Sequence, residues 1–227
     1  MIVGQSMSQL YGYKVIGVYQ TNEEAVKNGE PTKKAGDYKF LDMDGNGVID
    51  GDDRITLSHL EPKFTFGFNN RIEYKNFDLS LLFVGSCGND VVNEFRKYNI
   101  TMNGNWTPSR AAFDQRWRGE GSSNSIDKPS VNSGSSIRDY ANSLWVENGS
   151  YLKLRDITLG YNFSSALLKS IKISAIRIYV SAQNYVTFTN YSGYDPEASW
   201  NVTAINGWDR GVYPSMKSVT AGVKVNF

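Results

Sequence analysis

Lys63-Phe64-Thr65-Phe66-Gly67-Phe68-Asn69 sets phenylalanine against small or polar residues at every second position, and Ile72 and Tyr74 continue the phenylalanine side. After Lys75-Asn76 the chain runs Phe77-Asp78-Leu79-Ser80-Leu81-Leu82-Phe83, with Phe77, Leu79, Leu81 and Phe83 sharing one side. In an extended chain successive side chains point to opposite faces, so both runs read as strands with one apolar face. The two residues between them predict a tight hairpin.

Outward from this hairpin the same period returns. In Tyr151–Phe163, residues Ile157, Leu159, Tyr161 and Phe163 alternate with Thr158, Gly160 and Asn162. In Ile176–Thr187, Ile176, Ile178, Val180 and Ala182 oppose Arg177, Tyr179, Ser181 and Gln183. Val219–Phe227 ends the chain on an aromatic. Upstream, Gln9–Tyr19 is rich in aromatic and β-branched residues and reads as a further strand, which makes six.

Composition narrows the class. The chain has 14 Tyr, 11 Phe and 5 Trp beside 21 Gly, a mixture of strand formers and turn formers. Its net charge of +1, with no basic run longer than Lys33-Lys34, argues against a nucleic-acid partner. No apolar run approaches the roughly 20 residues of a membrane-spanning helix. Barrel strands need only about 10 alternating residues, so this leaves a membrane barrel open. Cys87 is the single cysteine and excludes an internal disulfide. The first residues lack the charged and apolar regions of a signal peptide, so an export signal is expected upstream of Met1.

Alternation alone fits a soluble sandwich or a barrel wall. Connection lengths separate them: about 40 residues, then 2, about 60, about a dozen, and about 30. Outer-membrane barrels alternate short periplasmic turns with long extracellular loops. The parity closes with residues 21–62, 86–149 and 188–217 outside and the C-terminus periplasmic. The sequence therefore predicts an all-β fold, an antiparallel transmembrane β-barrel segment of about six strands with long extracellular loops. Barrels need at least about eight strands, so others are expected to lie outside this chain.

Within 21–62, Thr21 reads as the N-cap of a short helix, with Glu24 completing a capping box and Gly29 ending it. Residues 42–53 then place Asp42, Asp44, Asn46, the Val48 carbonyl, Asp50 and Asp53 at positions 1, 3, 5, 7, 9 and 12 of an EF-hand-like loop, with Gly47 at the sharp turn. Calcium takes six or more hard oxygens, and this spacing wraps them around one point. The Asp at position 12, shorter than the usual Glu, resembles dockerin-type loops. A turn rich in Asp, Asn and Gly that binds nothing is the competing reading. A bound Ca2+ would be structural, pinning the loop.

Tyr191, Tyr194 and Trp200 are candidates to stack on sugar rings of a substrate, as are Trp106, Trp117, Trp145 and Trp208, with loop packing or an interfacial aromatic girdle as the favoured reading for each. Catalysis has little support. His59 is the only histidine, a Cys87–His59 pair lacks an orienting partner, and Asp195 with Glu197 in an Asp-Pro-Glu turn is a commonplace motif.

Several runs carry a family resemblance: Gly36–Arg54 around the acidic loop, Pro62–Asn70, Tyr74–Leu79, Gly149–Tyr161, Ile176–Asn184, Tyr191–Glu197 and the terminal strand. In order and content they resemble the C-terminal barrel portion of SusC/RagA-like TonB-dependent transporters of Bacteroidetes. The resemblance implies a plugged outer-membrane barrel of about 22 strands. It also implies a SusD-like surface lipoprotein partner, energy through TonB, surrounding outer-membrane lipid, and import of oligosaccharides or peptides. A secreted, calcium-stabilised β-rich adhesin or dockerin-like binding module is the alternative.

Overall fold

The computed structural model describes Ser6 and residues 9–102, 106–130, 141–164, 173–197 and 207–226. In chain order the elements are β1 (Tyr11–Gly12), β2 (Val15–Val18), α1 (Asn22–Lys27), β3 (Tyr38–Phe40), β4 (Ile55–Thr56), β5 (Phe64–Tyr74) and β6 (Phe77–Cys87). They continue with β7 (Asp90–Asn93), α2 (Glu94–Ile100), α3 (Arg110–Gln115), β8 (Val146–Asn148), β9 (Tyr151–Asn162), β10 (Ala175–Thr189), β11 (Trp208–Asp209) and β12 (Ser218–Asn226).

The five long strands form one antiparallel sheet in the order β5-β6-β9-β10-β12, each beside its nearest long neighbour in sequence. The hairpin at Lys75-Asn76 closes with Lys75 at φ 54°, the left-handed region that a tight reversal requires. The short links 75–76 and 163–174 leave one end of the sheet, and the long ones, 88–150 and 190–217, leave the other. The expected alternation therefore holds for these five strands. Phe227 lies outside the described residues.

The strand expected at Gln9–Tyr19 does not join this sheet. It breaks into β1, which pairs with β4, and β2, which pairs with β3. Leu10, Tyr13, Val18 and Tyr19 are buried instead in a separate body. The count of six wall strands is corrected to five among the described residues. Aromatic and β-branched content predicted extended backbone correctly, and a local loop core claimed it.

The wall has opposite faces of inverted character. On one, Phe64, Leu159, Val180 and Val223 are each more than half exposed, at 58%, 51%, 51% and 66%. On the other, Asp78, Lys153 and Ser181 are 4%, 2% and 9% exposed. A water-soluble sheet covers its apolar face and wets its polar one. Here the apolar face is uncovered and the polar face is occupied, the pattern of a barrel wall between lipid and lumen. Small residues make room on the polar side: a Cβ at Gly222 would come within 2.5 Å of the Tyr179 ring, and one at Gly160 within 2.5 Å of the Arg177 guanidinium. Arg177 in turn donates Nη2 to Asp78 at 2.5 Å, and Asn162 donates to Asp78 at 2.9 Å.

A bulge shifts the pattern midway along β9. Asp156 pairs with Leu82 and Gln183, whereas Leu154 pairs with Phe83 and Val186. Arg155 is therefore an extra residue against β6, and Asn184-Tyr185 opposes it from β10, with Asn184 at φ 58°. Such an insertion exchanges which parity faces inward. Asp156 below it and Lys153 above it consequently lie on the same polar face.

Beyond the long-loop end, three chain segments share a second core. Leu10, Val18, Tyr38, Leu60, Val92 and Trp145 are buried together, with Leu57, Ile100, Trp117 and Trp208 packed against them. A three-stranded sheet β11-β7-β8, with β11 parallel to β7, ties the segments together. The predicted helix is present as α1. Glu24 N donates to Thr21 Oγ1 at 3.2 Å, and the Glu24 carboxylate accepts from Gln20 N at 2.8 Å. Gly29, at φ 74°, ends it: Gly29 N donates to Val26 O and Glu30 N to Ala25 O, which satisfies the last carbonyls.

Candidate functional site

The acidic loop is built from its own carboxylates. Asp42 accepts from Gly45 N at 2.7 Å and Gly47 N at 2.8 Å, Asp44 from Asn46 N at 3.0 Å, and Asn46 Oδ1 from Val48 N at 2.7 Å. Gly45 and Gly47 both take positive φ, at 74° and 80°, so the chain can coil this tightly. Asp53 is wholly buried and accepts from Met43 N at 2.7 Å and Asp50 N at 2.8 Å, fastening the loop's two ends. The Gly47 N–H, donating to Asp42, holds that carboxyl below the usual carboxylate range.

Of the six expected ligands, Asp42, Asp44 and Asp53 bring carboxylate oxygens within 4.8 Å of one another. Among the described residues they are the one such group of three His, Cys, Asp or Glu side chains. Asp50 is outside it: its Oδ1 accepts from Asp52 N at 2.9 Å and caps the turn Gly51–Asp53. Three converging carboxylates are a donor set suited to a hard, oxygen-seeking cation.

The candidate stacking aromatics separate by environment. Tyr191 is 6% exposed and its hydroxyl donates to Asp209 at 2.5 Å, so its ring is a packing element with no free face for a ligand. Tyr194 is 66% exposed and stands 5.7 Å from the Phe95 ring. Trp200 lies outside the described residues. Trp145 is buried in the loop core, Trp117 and Trp208 pack against it, and Trp106 is exposed beside Tyr98, with ring centroids 4.6 Å apart.

A charged cluster at the loop end of the wall was not foreseen. Lys153 donates to both Asp195 oxygens, at 3.0 and 3.2 Å, and to Glu197. Glu197 also accepts from Arg155 at 2.5 Å and from the Tyr151 hydroxyl at 2.8 Å. Asp195 accepts further from Ser215 N at 2.9 Å and Glu197 N at 3.1 Å. Burial pushes the Asp195 carboxyl up, but the Ser215 donors and Lys153 outweigh it and hold it below the ordinary range. The Asp-Pro-Glu turn is thus a clasp that ties Asp195, Glu197 and Ser215 to Lys153 and Arg155 of β9. The sequence carried one signal for it: Leu152 and Leu154 are out of phase with Ile157 and Leu159, which turns Lys153 inward. His59 is exposed, and its N–H donates to Asp90.

Comparison with known proteins agrees with this geometry. No family model matches the chain. A TonB-dependent receptor of Formosa agariphila is 34% identical over 99% of the chain, and a second from the same organism is 29% identical over 100%. The TonB-dependent receptor SusC of Bacteroides thetaiotaomicron is 28% identical over 95%. The chain spans only 22%, 23% and 20% of these relatives' lengths. Among solved structures, the RagAB peptide importer in its open-open state superposes with a TM-score of 0.73 at 20% identity, covering 100% of this chain and 24% of that one. Another RagAB peptide transporter structure gives 0.75 at 20% identity, covering 96% and 22%. In sequence the chain is thus similar, over nearly its whole length, to one segment of TonB-dependent receptors. It is SusC-like in sequence over 95% of its length, and it shares the fold of the corresponding part of the RagAB structures.

Proposed function

We propose that this chain forms a wall sector and the extracellular cap of an outer-membrane, TonB-dependent importer of oligosaccharides or peptides. The observation that carries the reading is the uncovered apolar face, with Phe64, Leu159, Val180 and Val223 outward, opposed to a polar face closed by ion pairs. In lipid the unpaired backbone edges of β5 and β12 cannot stand alone, so further strands complete the barrel around a plugged lumen. The apolar face meets outer-membrane lipid. The short links and the C-terminus face the periplasm, and the cap faces outward, where a SusD-like lipoprotein docks. TonB acts through parts of the protein beyond this chain.

Ca2+ in the 42–53 loop is the structural cofactor of this reading, held by Asp42, Asp44 and Asp53 with help from neighbouring oxygens. Its chemistry would be electrostatic, neutralising three carboxylates that already converge. The test is fractionation of cells expressing the full-length protein. Recovery in the outer membrane, with heat-dependent gel mobility, is the expected result. Recovery in the soluble or secreted fraction would replace the importer with the secreted calcium-stabilised binding module.

A further inference from the structure

We infer that Asn70 makes a hydrogen bond within the membrane to the strand that pairs with the open edge of β5, and that this strand presents a hydroxyl or amide side chain there; this rests on the barrel-wall reading and names one of its contacts.

Asn70 stands where the alternation calls for an apolar residue. Register is unbroken between β5 and β6, so Asn70 shares the outward face with Phe68 and Ile72, which are 55% and 52% exposed. The other outward positions of β5 are Phe64, Phe66 and Tyr74. Across the sheet Asn70 is level with Leu81, Ile157, Ala182 and Val219, whose side chains cannot bond an amide. It lies four residues from Tyr74, which pairs with Phe77. Phe77 and Tyr161, with ring centroids 4.9 Å apart, continue an aromatic girdle at that level. At about 3.4 Å per residue and a tilt of about 40°, Asn70 is about 10 Å above the girdle, well inside an apolar band about 25 Å tall.

The Asn70 Oδ1 atom is enclosed, yet it accepts no hydrogen bond among the described residues. A carboxamide both donates and accepts, and a half-turn of the group exchanges its two ends. Hydrocarbon offers neither end a partner. One backbone edge of β5 is unpaired. In lipid another strand must lie about 4.8 Å from that edge, with an outward side chain about 5 Å from the Asn70 Cβ. That is the nearest place from which the amide can be satisfied, and a hydroxyl or amide does so without burying a charge.

Such a contact removes an ambiguity of the alternation. Slipping β5 by one residue would turn its phenylalanines into the lumen, but a slip of two keeps every face correct. A single polar pair in a dry wall penalises the second slip, as one buried asparagine does in a coiled coil.

The experiment uses the full-length protein in the outer membrane. Asn70→Leu keeps the side chain's size and removes its amide. An asparagine facing lipid alone would be improved by this change. One bonded to a neighbouring strand leaves its partner unpaired. The temperature at which heat-resistant gel mobility is lost should therefore fall by several degrees, or the variant should fail to accumulate. Asn70→Cys, on a background with Cys87→Ser and no other cysteine, locates the partner by pairing with single cysteines along the outward side of the adjoining strand. One position should form a disulfide within a single chain, and its natural residue should be Ser, Thr, Asn or Gln. Replacing that residue by Val in the Asn70→Leu protein should restore abundance and the original temperature. An unchanged or higher temperature for Asn70→Leu, no recovery in the double variant, a disulfide only between two copies of the chain, or an apolar natural residue at the paired position overturns the contact. The barrel reading falls separately, only if the full-length protein is absent from the outer membrane.

Discussion

Two aspartates carry local consequences that differ in sign. Asp53 is fully buried and satisfies two backbone N–H groups. Asp53→Ala orphans both, at a cost of about 2 kcal/mol or more. Hydrogen exchange across residues 42–54 should accelerate in that variant, and calcium should no longer slow it. Asp127 behaves oppositely. Burial, reinforced by the nearby Asp37 carboxylate, pushes its carboxyl from 3.8 up to about 7. A carboxyl whose folded pKa is raised favours the fold while protonated, so its contribution is full below about pH 4 and is lost as pH rises to about 7. The neighbouring bond of Lys128 to Asp37, at 3.2 Å, should therefore be better protected at about pH 5 than at about pH 8. Asp127→Asn should abolish that difference, read as exchange at residues 34–38 and 126–128.

At the scale of elements, ion pairs must be ranked by burial. The Lys39–Glu24 pair is 26% and 35% exposed, so deleting it should cost no more than about 1 kcal/mol. Lys153 is 2% exposed and faces two carboxylates, and Lys153→Ala leaves them uncompensated at a cost of about 3–5 kcal/mol. The temperature at which the full-length protein loses its heat-resistant gel mobility should fall much further for Lys153→Ala than for Lys39→Ala. Gly222→Val tests strand packing by the same readout: its side chain meets the Tyr179 ring, and about 1–3 kcal/mol should be lost. Period-two alternation made β5, β6, β9, β10 and β12 legible within a few residues, and cap chemistry did the same for α1. The clasp was not legible, because Lys153 and Asp195 are 42 residues apart and nothing local pairs them. Gln9–Tyr19 was misplaced for a related reason: extended backbone was evident, but not which of two cores would take its side chains.

For the whole molecule the decisive variable is the solvent on each face. Val180 lies on the outward side and the adjacent Ser181 on the inward one. Val180→Lys should cost about 2–4 kcal/mol if it sits near the bilayer midplane, and outer-membrane abundance should drop. Ser181→Lys, beside Asp156, which accepts from the Ser181 hydroxyl at 2.7 Å, should be tolerated far better by that measure. Equal loss in both variants would refute the assignment of faces.

The loop core has a practical corollary for protein engineers. Because Leu10, Leu60, Val92, Trp145 and Trp208 come from segments far apart in the chain yet pack together, the long loops are not interchangeable parts. A chimaera that imports one of them from a relative would confront foreign residues in a shared interior. Loop grafts between this chain and its relatives should therefore succeed only when the three segments travel as a set.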